Sequence, residues 1–270
     1  MMDITEPSLL SVRLQEIIEV QIKGASSIPV IGLSGPQGSG KSTALKALLK
    51  QSEFNIAGLG LDDFYLPKQK RKLLARTVSP LFEMRGPPGT HDLALLHSKL
   101  DQLLGATTET KCAIPKFDKP SDDRLHPEDW SQFQGKPDAI IIEGWMVGAV
   151  LPPDFLRSPP LNDVEREDVG MTWRRAQYEG LTGLYANLWK RMDMFVHIDG
   201  PGFDAVLDWR LEQEASNLGV TLAQLPPTRG EWVATFVQYF ERLSRSMQAG
   251  HRCAGKILKI DASRIYLGET

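Results

Sequence analysis

The chain is poor in the features that mark several large protein classes. Its 270 residues include only two cysteines, Cys112 and Cys253. They lie far apart and lack the spacing of a zinc site or a redox motif, so they read as reduced thiols of a cytoplasmic protein. No apolar run approaches the length that crosses a bilayer, which argues against a membrane protein. The N-terminal stretch "MMDITEPSLLSVRLQEIIEV" lacks a basic lead and a cleavage site and reads as an amphipathic helix, not a signal peptide. Positive charge is not in excess. Thirty-one Lys and Arg stand against 34 Asp and Glu, a net charge of −3, which argues against a nucleic-acid binder dominated by phosphate contacts. Repeats and low-complexity tracts are missing. So is any N-K-x-D tetrapeptide of the kind that reads guanine, which sets a GTPase aside. What remains is a globular composition, 41% apolar and 24% charged, sufficient for one large α/β domain.

One stretch carries a chemical signature. In "VIGLSGPQGSGKST", Gly35, Gly40, Lys41 and Ser42 satisfy G-x-x-x-x-G-K-[ST] without mismatch. An apolar β-type run precedes it and the helix-favouring "TALKALLKQ" follows, the strand–loop–helix context the motif requires. In a chain this long a chance match has odds of about one in a hundred. The glycines let successive N–H groups turn inward on an anion, and the helix N-terminus adds partial positive charge. The whole loop, Gly35, Pro36, Gln37, Gly38, Ser39, Gly40, Lys41, Ser42 and Thr43, is therefore expected to bind the phosphates of ATP. Lys41 would reach the β- and γ-phosphates and the Ser42 hydroxyl would bind Mg2+.

Short apolar runs predict strands over 29–34, 55–61, 138–143, 194–199 and 257–261, and helices fill the intervals. The first helix is expected over 8–23. Later ones place Leu93, Leu96, Leu100 and Leu103 on one face, then Leu181, Leu184, Leu188 and Met192, then Trp232, Phe236, Phe240, Leu243 and Met247. The alternation predicts a mostly parallel sheet with helices on both faces, a three-layer α/β/α domain spanning 1–270 with a helical extension over 1–27. The Pro-rich 151–163 reads as an excursion from it.

Four further stretches bear on where the phosphate goes. "GLGLDDFYLP" ends a strand in Asp62 and Asp63. Alternation along a strand turns the two apart, and one is placed to accept the proton of an attacking hydroxyl. "DAIIIEGWMVG" ends a strand in Glu143, positioned to hold the Mg2+ shell. "FEMRGPPGTHDL" presents Arg85 in a stiffened loop suited to a carboxylate or phosphate. Asp92 in the same stretch either caps the following helix or binds a ligand. "IPKFDKPSDDRLHPEDW" concentrates Lys116, Asp118, Lys119, Asp122, Asp123, Arg124 and His126 in a loop that could overhang the site.

Taken in order, "GPQGSGKST", "DDFYLP", "RGPPGTHDL", "PKFDKPSDDR" and "IIEGWMVG" resemble the D-glycerate 3-kinases of plants and their bacterial and fungal relatives. More distantly they resemble uridine kinase, phosphoribulokinase and pantothenate kinase. The likeness covers most of 28–200 and continues weakly through "VLDWRLEQE". It departs at "RRAQYEGLTGLYANLW" and over 157–175. The resemblance implies a nucleoside-kinase-like P-loop fold, ATP and Mg2+ as cofactors, and a small anionic alcohol, D-glycerate foremost, as acceptor. It implies Asp62 as base and as a metal neighbour with Ser42 and Glu143. Asp63, Tyr65, Arg85, His91, Asp92, Lys116 and Asp118 would face the substrate, and Arg210 would sit on a lid over about 203–218. Other acceptors (a nucleoside, a pantothenate-like acid or a sugar) and a regulator without an acceptor are the competing readings.

Overall fold

The computed structural model describes residues 8–270. Helix α1 (Leu9–Gly24) starts where Ser8 caps it, accepting from the Ser11 amide. It buries Leu10, Leu14, Ile17 and Ile18 in the main core, so this part of the expected extension packs on the body of the protein. Residues 1–7 of the extension lie outside the described residues.

All five expected strands form. They are β1 (Val30–Ser34) and β2 (Ile56–Gly60), then, after four short strands described below, β7 (Ala139–Gly144), β8 (Met194–Asp199) and β9 (Lys256–Ile260). With β10 (Tyr266–Glu269) they make a six-stranded sheet ordered β10-β9-β8-β1-β7-β2. Five strands run parallel, and β10 pairs antiparallel with β9 at the edge. Every residue of β1 is buried, as a strand covered on both faces demands. Parallel alignment gathers the carboxyl ends of β1, β2, β7 and β8 along one edge of the sheet, where ligands of open α/β folds collect.

The helices after α1 are α2 (Lys41–Gln51), α3 (Lys68–Thr77), α4 (Leu93–Leu104), α5 (Asp163–Glu167), α6 (Thr172–Gly180), α7 (Ala186–Trp189), α8 (Asp204–Asn217) and α9 (Pro227–Gln248). Leu93, Leu96, Leu100 and Leu103 of α4 are all buried; each such side chain stabilises by roughly 1.5–3 kcal/mol. The expected face 181–192 is different. Leu181, Leu188 and Met192 are buried, but Leu184 is 63% exposed. The chain makes a π-helical turn over Leu181–Tyr185 between α6 and α7, and the wider turn rotates Leu184 to solvent and Tyr185 inward.

Two small hairpins escape the periodicity reading. Strand β3 (Lys111–Ile114) pairs with β6 (Ser131–Gln134), and within that pair β4 (Phe117–Asp118) meets β5 (Asp123–Arg124). The Pro-rich stretch is tied down at its end, where Arg242 of α9 donates to the carbonyl of Pro159 and to Glu165 of α5. Among the described residues no helix is long and apolar enough to cross a membrane.

Candidate active site

The Gly-rich loop joins β1 to α2 at the gathered strand ends. Gly40 caps α2 at φ 86° with open space where a Cβ would stand, so the backbone there faces the cleft in a conformation that glycine adopts without strain. Gly38, at φ 79°, has the opposite surroundings: a Cβ would come within 2.4 Å of Trp209 Cβ. Gln37, Gly38, Gly40, Lys41, Ser42 and Thr43 line a cleft of about 580 Å3. Gly35, Pro36 and Ser39 are the buried inner side of the loop.

Beneath the loop, Glu143 stands one residue before the end of the buried strand β7 and accepts from the Ser42 hydroxyl at 2.9 Å through Oε1. Its Oε2 is buried and without a partner. Burial pushes the carboxyl up, against the pull of Lys41. A buried oxygen that finds no donor, beside a hydroxyl and with Asp62 nearby, is a hard-donor set suited to a cation that keeps most of its own water. That fits Mg2+, which takes one or two protein oxygens plus phosphate.

Asp62 does not end a strand. Strand β2 stops at Gly60, and Leu61–Phe64 form a 3-10 turn, so a helical offset and not strand alternation separates the two carboxylates. Asp62 faces the cleft. The Tyr65 hydroxyl donates to its Oδ1 at 2.6 Å and Lys119 Nζ lies 3.3 Å from Oδ2. Burial alone would raise this carboxyl. Lys119, the Tyr65 hydroxyl and Lys41 outweigh burial and hold it below the usual carboxylate range. Asp63 turns to the hairpin, pairing with Lys116 at 2.8 Å and accepting from the Phe117 amide at 3.2 Å.

Arg85 lines the cleft and pairs with Asp122. Asp122 sits in the left-handed region at φ 57°. Its other oxygen takes buried Arg71 at 2.9 Å, and its carbonyl accepts from the same guanidinium at 2.6 Å. Arg85 also lies over the Phe117 ring, 5.6 Å from the centroid. Arg210 of α8 completes the cationic wall over the Phe236 ring. Its Nε is buried and unpartnered, and burial lowers its pKa.

His91 lies behind Tyr65, ring centroids 4.8 Å apart. The Gly89 amide donates to the Tyr185 hydroxyl at 3.0 Å, and that hydroxyl sits 2.6 Å from His91 Nδ1. Burial lowers the imidazole to about 4, so it is neutral at neutral pH. Asp92 caps α4, accepting from the Leu95 amide, and pairs with Arg124 at 3.1 Å. Asp118 accepts from the Ser121 amide in the β4–β5 turn. Thus Lys41, Ser42, Asp62, Tyr65, Arg85 and Arg210 meet in one cleft, Glu143 underlies it, and Asp63, His91, Asp92, Lys116 and Asp118 stand behind its walls.

No family model matches the chain. Individual proteins do. It is 27% identical to mug58, an uncharacterized kinase of Schizosaccharomyces pombe, over 91% of this chain and 93% of that one. It is 32% identical to the chloroplastic D-glycerate 3-kinase of Arabidopsis thaliana over 72% of this chain but 43% of the plant protein, so the chain spans less than half of that relative. The solved D-glycerate 3-kinase of Cryptococcus neoformans superposes with a TM-score of 0.77 at 24% identity, covering 97% of this chain and 99% of that one. The chain is a P-loop kinase, similar to D-glycerate 3-kinases among others.

For this kinase two further residues come to the cleft from afar. Lys119 is expected from the sequence only as one of a charged cluster that could overhang the site, and the β4–β5 turn brings it to Asp62, 57 positions away. Arg264, in the β9–β10 turn, donates through Nε to the Gly38 carbonyl at 2.7 Å, through Nη2 to Glu212 at 2.8 Å, and lies over Trp209. Nothing in "DASRIY" marks it, because its partner is 226 residues distant.

Proposed function

We propose that this ATP-dependent kinase transfers the γ-phosphoryl group of ATP to a hydroxyl of a small anionic alcohol, D-glycerate first among them. One observation carries the reading: Asp62, held ionised by Lys119 and Tyr65, opens on the same cleft as Lys41 and the α2 N-terminus. The loop amides and Lys41 hold the triphosphate. Asp62 orients the acceptor hydroxyl. The hydroxyl oxygen bonds to the γ-phosphorus as the bond from that phosphorus to ADP breaks, its electrons leaving on ADP. The hydroxyl proton passes to Asp62 and on to water. A low-pKa carboxylate is a weak base, which suits a loose transition state in which the proton leaves late. Mg2+, held by Ser42 and Glu143 with Asp62 beside them, would offset charge on the transferring phosphoryl group. The guanidinium of Arg85, anchored on Asp122, offers its free donors to the acceptor carboxylate, and Lys119 and Arg210 add charge of the same sign. Helix α8, over the cleft, acts as the lid that limits access of water.

The deciding experiment is ADP release with Mg2+ and ATP across a panel of acceptors: D-glycerate, uridine, pantothenate and neutral sugars. D-glycerate should accelerate ADP release and yield a phosphorylated acid by mass spectrometry. Acceleration by a neutral acceptor alone would replace the anionic class, and hydrolysis that no acceptor accelerates would remove the kinase assignment of this cleft.

A further inference from the structure

A second cavity of about 960 Å3 adjoins the cleft. The two share Arg85, Lys119, Arg210 and Gln213, which form a threshold between them, with Asp62 on the nucleotide side alone. A water-sized group needs about 10–15 Å3 of such space, so a three-carbon acid of about seven non-hydrogen atoms takes on the order of 100 Å3. D-glycerate resting on the threshold leaves the second cavity empty, whereas cavities of several hundred Å3 suit much larger ligands.

The far wall has a chemistry of its own. Trp232 stacks on Phe236 with centroids 5.1 Å apart, and Arg229 lies 5.0 Å from its indole centroid. Arg229 also pairs with buried Glu214. The amides of Gln213 and Asn217, both exposed, stand on the same helix. An aromatic face beside amides and an ion pair takes C–H groups on the ring and hydroxyls on the polar atoms. The cavity is lined by four cations, Arg85, Lys119, Arg210 and Arg229, against three carboxylates. Asp122 and Glu214 are already engaged by arginines and Lys119 faces Asp62, which leaves Arg210 as the threshold cation that no carboxylate among the described residues pairs.

We propose that the acceptor class extends to polyhydroxy acids of four to six carbons. The carboxylate rests on the threshold cations, a neighbouring hydroxyl reaches Asp62, and the polyol tail lies in the second cavity. D-glycerate is then the shortest member of the class. The inference rests on the reading of the cleft as a kinase for anionic alcohols and uses the same transfer of phosphoryl group and proton.

The test is kcat/KM for D-glycerate, D-erythronate and D-gluconate, with ADP release as readout, in the wild type and in Trp232→Ala and Asn217→Leu. At least one longer acid should exceed D-glycerate by about tenfold, and each variant should lower the long-to-short ratio by about tenfold. Asn217 is exposed, so its variant reports even where loss of the indole harms folding. Turnover of D-glycerate without turnover of either longer acid overturns this inference and leaves the proposed function standing. Turnover of neither class overturns both. Longer acids whose advantage survives both substitutions do not use the second cavity, and the inference fails.

Discussion

The two halves of the cleft are built in different ways. The proposed nucleotide half is one continuous loop that presents largely backbone amides, fixed by the fold of nine consecutive residues and the helix behind them. The acceptor half is an assembly of side chains from four places: Arg85 from a loop, Lys119 from a hairpin turn, Arg210 from α8 and Asp62 from a 3-10 turn. Two of these are steered by a further contact, Arg85 by Asp122 and Asp62 by Tyr65. A half made of backbone tolerates little change in loop geometry but needs few side chains. A half made of steered side chains can be retuned one residue at a time, so within one fold it is the half in which specificity can vary.

The largest test of this contrast is Lys41→Ala, which removes the one side-chain charge that the loop contributes to the phosphates. Loss of a cation at a transferring phosphoryl group is worth about 10³–10⁵ in turnover. Transfer should fall by that much with the melting temperature unchanged; near-normal turnover would take the phosphates out of the loop. Asp62→Asn comes next. It keeps shape and removes the proton acceptor, so kcat should drop by about 10²–10⁴ with the KM for ATP little changed. Asp63→Asn, which faces the hairpin, should show a smaller loss, felt in the acceptor KM. An active Asp62→Asn beside a dead Asp63→Asn would reverse the two roles. Arg85→Lys is smaller again. The charge stays but the fork is lost, so the acceptor KM should rise about tenfold while the ATP KM holds within about twofold. An equal rise in both would erase the division into halves.

The smallest effect on turnover is the one read in stability. His91 lies behind the acceptor half. His197 lies under the nucleotide half, 2.6 Å from the Ser34 hydroxyl and 2.8 Å from the Cys253 carbonyl. Burial lowers both to about 4, against about 6.5 in the unfolded chain. Between those values the unfolded chain binds protons that the fold refuses, so stability falls as pH drops from about 6.5 to about 4, by on the order of 3 kcal/mol for each imidazole. Urea midpoints measured across that window should slope steeply in the wild type. His91→Gln and His197→Gln should each flatten the slope by about half, and an unchanged slope in both would locate the acid sensitivity elsewhere. The low carboxyl of Asp62 acts in a separate window. Its contribution is present above the unfolded carboxylate range and is lost only at more acid pH.

The same division governs what could be read from the sequence. The loop and the five parallel strands were legible because each carries its signal within its own few residues. The hairpins were not: "KCAI" and "SQFQ" are short and mixed in polarity, and they become strands only by pairing with each other. Leu184 was misplaced because one wide helical turn shifts the register by a residue, and hydrophobic periodicity has no mark for that. Asp62 and Asp63 were legible as a pair, but the contacts that distinguish them come from Lys116 and Lys119 on the far hairpin. Arg264 was illegible altogether. The glycine conformation and the helix cap are local facts, whereas a side chain brought across the whole chain is a product of the finished fold.

Trp209 gives α8 a fixed point. Its ring is buried against Gly38, its Nε1 donates to the Ala262 carbonyl at 2.7 Å, and Arg264 covers it. Any swing of α8 must pivot there, which makes the helix a lever with unequal arms. Arg210 stands one residue from the fulcrum, while Asn217 is roughly 12 Å out along the axis at 1.5 Å per residue. A rotation of roughly 20° would carry the tip about 4 Å and the Arg210 backbone about half an ångström. Such a throw would move Ser216 on the wall of the first cleft together with Asn217 on the second, while Arg210 beside the pivot would keep its place between them.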